Sequence, residues 1–341
     1  MFHVLRARPE VVHWGYFDSA IKPAIEVESG DIVSLDAITH QAGDAPHLLM
    51  DDDIREIYGA IPFSDRYPGV HLMTGPISVA YAEPGDTIEV RYLSLRPRLP
   101  YGTNISANWG YLYKEFDETE RVTIFSVDTK YGCATALYAY EYPRTSDVPG
   151  IVTDDAEVNK EEVLKGFRIP ITPHIGTAGV AMAIPGRVST VPPGEHGGNI
   201  DNWRIGEGSV MYYPVLVPGA LLSIGDPHLS QGDGELNGTA VEASLDVTIQ
   251  IFLHKHTRFP SPLLETKTHW YVHGFGDNLD GAMKEASLNM LEYLVCHHGI
   301  SRKDAYVLMS IACDFGVTQV VDRKQGVHVS VPKTVFPSRP T

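Results

Sequence analysis

The densest run of reactive side chains is Ser223-Ile-Gly-Asp226-Pro-His228-Leu-Ser-Gln231-Gly-Asp233-Gly-Glu235-Leu-Asn237-Gly-Thr-Ala-Val-Glu242, where four carboxylates and an imidazole fall within 17 residues. Carboxylates this close repel one another, so a cation, backbone N–H donors or protons held at raised pKa must offset them. Asp226 and His228 stand two apart, a spacing that sends both side chains to one side of an extended strand. An oxygen and a nitrogen donor so placed can grip one metal ion, as in hydrolytic zinc sites. Glycine-flanked acids also make ordinary turns, because Asp and Asn bond their own backbone. His228 and the later Glu242 are not turn residues, which favours chemistry. Asp233, Glu235, Asn237 and Gly238 imitate the first half of an EF-hand loop, yet Ser244 stands where the bidentate acid belongs, and no helices flank the loop.

Two further stretches could contribute. In Pro192-Pro-Gly-Glu195-His196-Gly-Gly-Asn199-Ile-Asp201-Asn-Trp203, the Gly197-Gly198 pair allows backbone N–H groups close to a ligand, as an oxyanion site requires. The same pair also suits a plain turn into a strand. Asp36, His40, Gln41, Asp44 and His47 form the third candidate; with 15 histidines in the chain, most are ordinary core or surface residues. A weak repeat joins this region to the first. Glu28–Asp36, Glu83–Val90 and Val217–Asp226 each run from a glycine turn into alternating apolar positions, which puts Asp36 and Asp226 at equivalent strand ends.

The elements that must position these residues are mostly strands. Between residues 20 and 255, stretches such as Ile32–Leu35, Ile77–Tyr81, Ile88–Tyr92, Val122–Val127 and Ala134–Tyr140 are rich in β-branched and aromatic residues, with Gly and Pro between them. Short helices are expected at Asp51–Tyr58 and Asp155–Leu164. After residue 255, Thr268–Gly274 reads as a strand and Asp277–His298 as an amphipathic helix ended by Gly299. Ser301-Arg-Lys-Asp304 opens a second helix, and Val317–Val321 and Val327–Val331 read as closing strands with no obvious chemistry. The expected fold is mainly β, in sandwich- or barrel-like modules with a C-terminal α/β layer, α+β overall. Residues 1–170, 171–260 and 261–341 form its segments within one interlocked unit.

The 341 residues carry 27 Lys+Arg against 43 Asp+Glu, a net charge of −16, which argues against nucleic acid and anionic membranes as partners. Gly 31 and Pro 24 agree with many turns and short strands. No apolar run approaches the ~20 residues of a membrane span, and Arg6, Arg8, Pro9 and Glu10 break the N-terminal stretch, so no signal peptide is expected. Cys133, Cys296 and Cys313 form no CxxC pair and suit a reduced, cytoplasmic protein.

Taken together, Thr74-Gly-Pro-Ile77, Glu83-Pro-Gly-Asp86, Pro192-Pro-Gly with Gly197-Gly-Asn199-Ile-Asp201, Val217-Pro-Gly-Ala220 and Gln231-Gly-Asp-Gly-Glu235 with Gly238-Thr-Ala and Glu242 resemble the acetamidase/formamidase family. The likeness runs from about residue 20 to 330, and it is the combination that is specific. It implies a mostly β homo-oligomer that hydrolyses short amides to ammonia and a carboxylate with a bound divalent metal; related members act on cyclic amides (γ-lactams). The sequence departs from the family pattern at Asn237, at Glu195-His196 and over Leu99–Lys130 with its Asn104, Asn108 and Trp109, which leaves substrate size open.

The resulting expectation is a metal-assisted amidase. Asp36, Asp226 and His228 hold the cation, zinc with calcium as the alternative. Glu242 or Glu235 moves the proton, and Asn199, Gln231 or the Gly197-Gly198 amides stabilise the tetrahedral oxyanion. No GxSxG nucleophile elbow is present, so covalent catalysis is the weaker mechanism. The competing class is a non-catalytic β-sandwich that binds calcium and sugar through the acidic loop. A cupin-like barrel lacks its histidine cluster here.

Overall fold

The computed structural model describes residues 1–142 and 149–337. Glycine turns feeding alternating strands build two large sheets among these residues. One has nine strands, in the order Phe2–Leu5, Ile32–Ala37, Leu245–His254, Thr87–Pro97, Val210–Pro214, Leu263–Glu265, His269–Gly276, Lys324–Pro332 and Asp314–Asp322. The other has eleven, and its central strand Leu222–Ser230 lies between His174–Gly179 on one side and Leu72–Val79 and Val241–Glu242 on the other. Their apolar faces meet: Leu35, Val90, Val247 and Ile249 of the first pack with Ile77, Ile175, Leu222 and Ile224 of the second in one buried core. The fold is therefore a mainly β sandwich with helices added. Residues from all three expected segments share the nine-stranded sheet.

The C-terminal helices form where their caps stand. Asn278 accepts from the Gly281 N–H and Gly299 closes the helix Leu279–His298 in the left-handed region; Ser301 accepts from the Asp304 N–H and opens Arg302–Ala312. Ala282, Ala286, Met290 and Leu294 bury one helix face against Val272, Val327 and Val329 of the sheet. Asp51 caps the helix Asp52–Ala60, which buries Ile54 and Ile57 beside Trp14. The helix expected over Asp155–Leu164 is only a single 3₁₀ turn, Asp155–Glu157; Gly166 and the acids of that stretch supply no apolar stripe to dock it. Among the described residues no helix is long and apolar enough to cross a membrane.

Candidate active site

Strand pairing sets one polar row across the eleven-stranded sheet. His174 lies opposite His228, His228 opposite Glu242, and Glu242 opposite Thr103. Asp226, two residues before His228, has φ +52 and lies beside the row, its Oδ2 3.3 Å from His228 Nε2. On the other side His228 Nε2 is 3.2 Å from Glu242 Oε1. This crowding depends on Gly176, where a Cβ would come within 2.5 Å of Asp201 Oδ1, Asp226 Oδ2 and His228 Cε1. Behind the row, the Thr172 carbonyl can only accept, so His174 Nδ1, 2.7 Å away, carries that ring's proton. His174 Nε2 then accepts from His228 Nδ1–H at 3.2 Å, and Gln231 Oε1 accepts from the same N–H at 3.1 Å. The His228 ring is thus fixed with Nε2 toward the carboxylates.

Asp226, His228 and Glu242 form the floor of a cavity of about 290 Å³ that also receives His40, His71, Asn199, Asp201, Glu235 and Asp322. Oxygen and nitrogen atoms converge here in four overlapping triads, each within 4.8 Å: His40–His71–Asp226, Asp201–Asp226–His228, His228–Glu235–Glu242 and Asp201–Glu235–Asp322. Both oxygens of Asp201, Oε2 of Glu242, Oδ2 of Asp322 and Nδ1 of His40 and His71 are buried without a hydrogen-bond partner. No Lys or Arg pairs with any of the five carboxylates among the described residues.

The electrostatics follow from burial. Burial, with Asp322 and Asp226 near, pushes Asp201 well above the usual carboxylate range, and burial beside Asp201 does the same to Glu235. Burial also raises Glu242, against the opposing pull of His228, and raises Asp322 well above normal with help from Glu235. Burial works against Asp226 ionisation too, but His71 and His228 overcome it and hold Asp226 far below its ordinary value. Burial and the His71 ring beside it bring His40 down to about 3, and burial lowers His71. His228 is the exception among these imidazoles, since Glu242 and Asp226 outweigh burial and push it well above its ordinary value.

The structure brings together Asp226, His228, Glu235, Glu242 and Asn199 from the sequence-derived set. It does not bring Asp36. Asp36 is fully buried in the other sheet, with Oδ1 2.6 Å from Arg6 Nη1 and Oδ2 3.0 Å from Arg98 Nη1 and 3.1 Å from the Ala7 N–H. It is an ion-pair residue outside the cluster, because the repeat fixed a strand form but not which sheet the strand joins. Gln231 is also turned away from an oxyanion role: its Nε2 donates to the Asp201 carbonyl at 2.6 Å and its Oε1 faces His228 and His174. Asp233 forms a two-point pair with Arg204 at 2.8 and 2.9 Å, which removes the first ligand of the calcium-loop reading.

His40, Gln41 and Asp44 from the third stretch line the cavity, and Asp44 Oδ2 accepts from Thr103 at 2.8 Å. His71 and Asp322 were not expected. Asp322 ends the strand Asp314–Asp322, so the C-terminal layer reaches the site instead of being purely structural.

A β-sandwich with a buried carboxylate–imidazole floor defines a chain built to hold a small polar ligand away from bulk water. The chain belongs to the acetamidase/formamidase family, whose profile matches residues 6–185 and 185–338. It is similar to the acetamidase of Mycolicibacterium smegmatis, 34% identical over 211 residues that cover 49% of each chain. It is also similar to the formamidase of Methylophilus methylotrophus, 27% identical over 66% of this chain and 67% of that one. The crystal structure of an acetamidase from Bacillus halodurans, 27% identical, superposes with a TM-score of 0.77 over 98% of both chains.

Proposed function

We propose that this chain hydrolyses carboxylic amides to ammonia and the carboxylate with the help of a bound divalent cation. The observation that carries this reading is the floor itself: five buried carboxylates without a Lys or Arg partner, interleaved with imidazoles, in a chain whose relatives include an acetamidase and a formamidase. Such a donor set fits a cation, because buried anions persist only when paired, protonated or ligated. Asp226 belongs to two of the triads and would hold the ion with His40 and His71 on one side and Asp201 and His228 on the other. Imidazole beside carboxylate suits zinc or a similar transition ion better than calcium, which takes oxygen ligands. Its contribution when bound is Lewis acidity toward water and the amide oxygen.

The residues of the chain account for the rest. Glu242 Oε1 is anchored by the Ala240 N–H at 2.9 Å, while Oε2 is unpartnered and placed to take a proton from the attacking water and return it to the departing nitrogen. Thr177 Oγ1 donates to Asn199 Oδ1, which leaves the Asn199 NH₂ group for the cavity, where it can stabilise a tetrahedral oxyanion. One water is consumed: the C–N bond breaks, a C–O bond forms, and nitrogen leaves with the transferred proton.

Three unbridged cysteines support a reducing, cytoplasmic setting. Tyr306, Val307 and Ile311, exposed on one helix, support assembly with further copies, which light scattering would size. Ammonia release from formamide, acetamide and longer amides, measured on chelator-treated and zinc-restored protein, tests the function. Activity that survives complete metal removal overturns metal assistance. Hydrolysis of no amide with any metal overturns the amidase reading.

A further inference from the structure

The cavity is larger than formamide or acetamide requires. At about 30 Å³ per water-sized unit, its volume of about 290 Å³ accepts on the order of ten non-hydrogen atoms. Besides the charged groups, the lining includes the apolar side chains of Val70, Ile105, Trp109, Ile151 and Val191, with Asn108, Thr239 and Arg323 among them. Trp109 is fixed in this wall. Its Nε1–H donates to the Gly238 carbonyl at 3.1 Å, and a Cβ on Gly238, itself at φ +105, would come within 2.1 Å of the indole. Asn104 and Asn237 bind each other reciprocally at 3.2 and 2.7 Å, and Asn104 Nδ2 also donates to the carbonyls of Thr239 and Ala240 at 3.0 and 2.9 Å. The loop that follows Tyr101–Ser106 is therefore clamped to the acid-rich loop that supplies Glu235 and Glu242. Asn237 thus ties the Trp109 segment to Gly238 and Thr239, which line the cavity beside it.

We propose that this wall is an acyl-group subsite, and that the preferred substrates are primary amides with a branched-alkyl or aryl acyl group. A pre-set indole face and aliphatic neighbours reward apolar bulk next to the reacting carbonyl, while the floor handles the amide; a single methylene in such a pocket changes kcat/KM by roughly 10- to 200-fold. The proposal rests on the amidase reading and is tested apart from it. With zinc-loaded protein, kcat/KM is expected to be at least tenfold higher for isobutyramide and benzamide than for acetamide. Trp109→Ala and Val191→Phe, one opening the wall and one filling the space, should each lower the benzamide-to-acetamide ratio about tenfold. A wild-type ratio of one or less, or a ratio that neither variant moves, overturns the subsite. If no amide is turned over, the amidase reading falls alone, and calorimetric titration with benzamide decides the subsite. Saturable binding weakened about tenfold by Trp109→Ala supports it, and the absence of binding overturns it.

Discussion

Asp36 and Asp226 are both buried aspartates on strands that follow glycine turns, yet their surroundings have opposite logic. Each oxygen of Asp36 meets a guanidinium, and Arg98 extends that pairing to Asp51 at 2.6 Å and Asp53 at 2.8 Å. Asp226 shares its neighbourhood with Asp201, Glu235, Glu242 and Asp322, and among the described residues no Lys or Arg answers them. Burial is common to both regions; compensation is not. A buried carboxylate matched by guanidinium groups is completed by the fold, whereas one left among other carboxylates must share imidazoles, keep a proton or take a cation from outside. On the proposed function, the chemistry belongs to the second region.

The largest effect expected from breaking this contrast is at Glu242. Glu242→Gln keeps the volume and the Oε1 contacts but removes the base, so kcat should fall about 10²- to 10⁴-fold while zinc content, measured by mass spectrometry, stays the same. Unchanged turnover would remove Glu242 as the proton carrier. At Asp36 the effect should fall on stability instead. Asp36→Asn leaves the half-exposed Arg6, and Arg98 with its Asp51 and Asp53 pairs, beside a neutral amide, a loss of about 1.5–3 kcal/mol in urea unfolding, with zinc content unaltered. If Asp36→Asn instead empties the protein of zinc and leaves the urea midpoint in place, the two regions have been assigned the wrong way round.

Features carried by local sequence were legible. Glycine turns with alternating strands announced the sandwich, and Asn278, Gly299 and Ser301 announced the helix ends. Asp226, His228, Glu235 and Glu242 were legible because one short stretch holds them all. Residues delivered by sheet pairing were not. His71 immediately precedes the strand Leu72–Val79, which reaches the site only because it pairs with Leu222–Ser230. Asp322 arrives on a distant hairpin, tied to the acidic loop by the bridge between Gly234 and Gln319. Neither has a spacing that a linear reading could weigh, and for the same reason nothing local told Asp36 from Asp226.

A third kind of buried polar group sharpens the comparison. His196 is buried with both ring nitrogens unpartnered and packs edge-on to Phe17 at 5.0 Å, and burial brings it down to about 4. It is tolerated because it stays neutral. The unfolded chain binds a proton near the ordinary value of 6.5 that the folded chain refuses until about 4, so stability is full above that window and is lost as pH falls through it. The linked loss is at most about 3 kcal/mol. His196→Phe should flatten the fall in melting temperature between pH 6.5 and 4 by about one proton; an unchanged slope would show that the ring is already charged or solvated.

The smallest effect expected is at Gln231, and its size decides between two roles. An amide that donated directly to the oxyanion would cost about 10²- to 10³-fold in kcat when removed. The structure turns both ends of the Gln231 amide elsewhere, to the Asp201 carbonyl and to the His228 Nδ1–H that must stay in place for Nε2 to face the carboxylates. Gln231→Met should therefore lower zinc affinity and kcat/KM by about tenfold each, the ordinary loss of a partner behind a ligand, with the urea midpoint shifted by less than about 1 kcal/mol. His174 still accepts from His228 Nδ1–H in that variant, which is why the ring is loosened and not released. A thousandfold loss of kcat with zinc affinity intact would put the Gln231 amide back in the cavity, and a tenfold loss shared by affinity and turnover keeps it behind the row as a positioning residue.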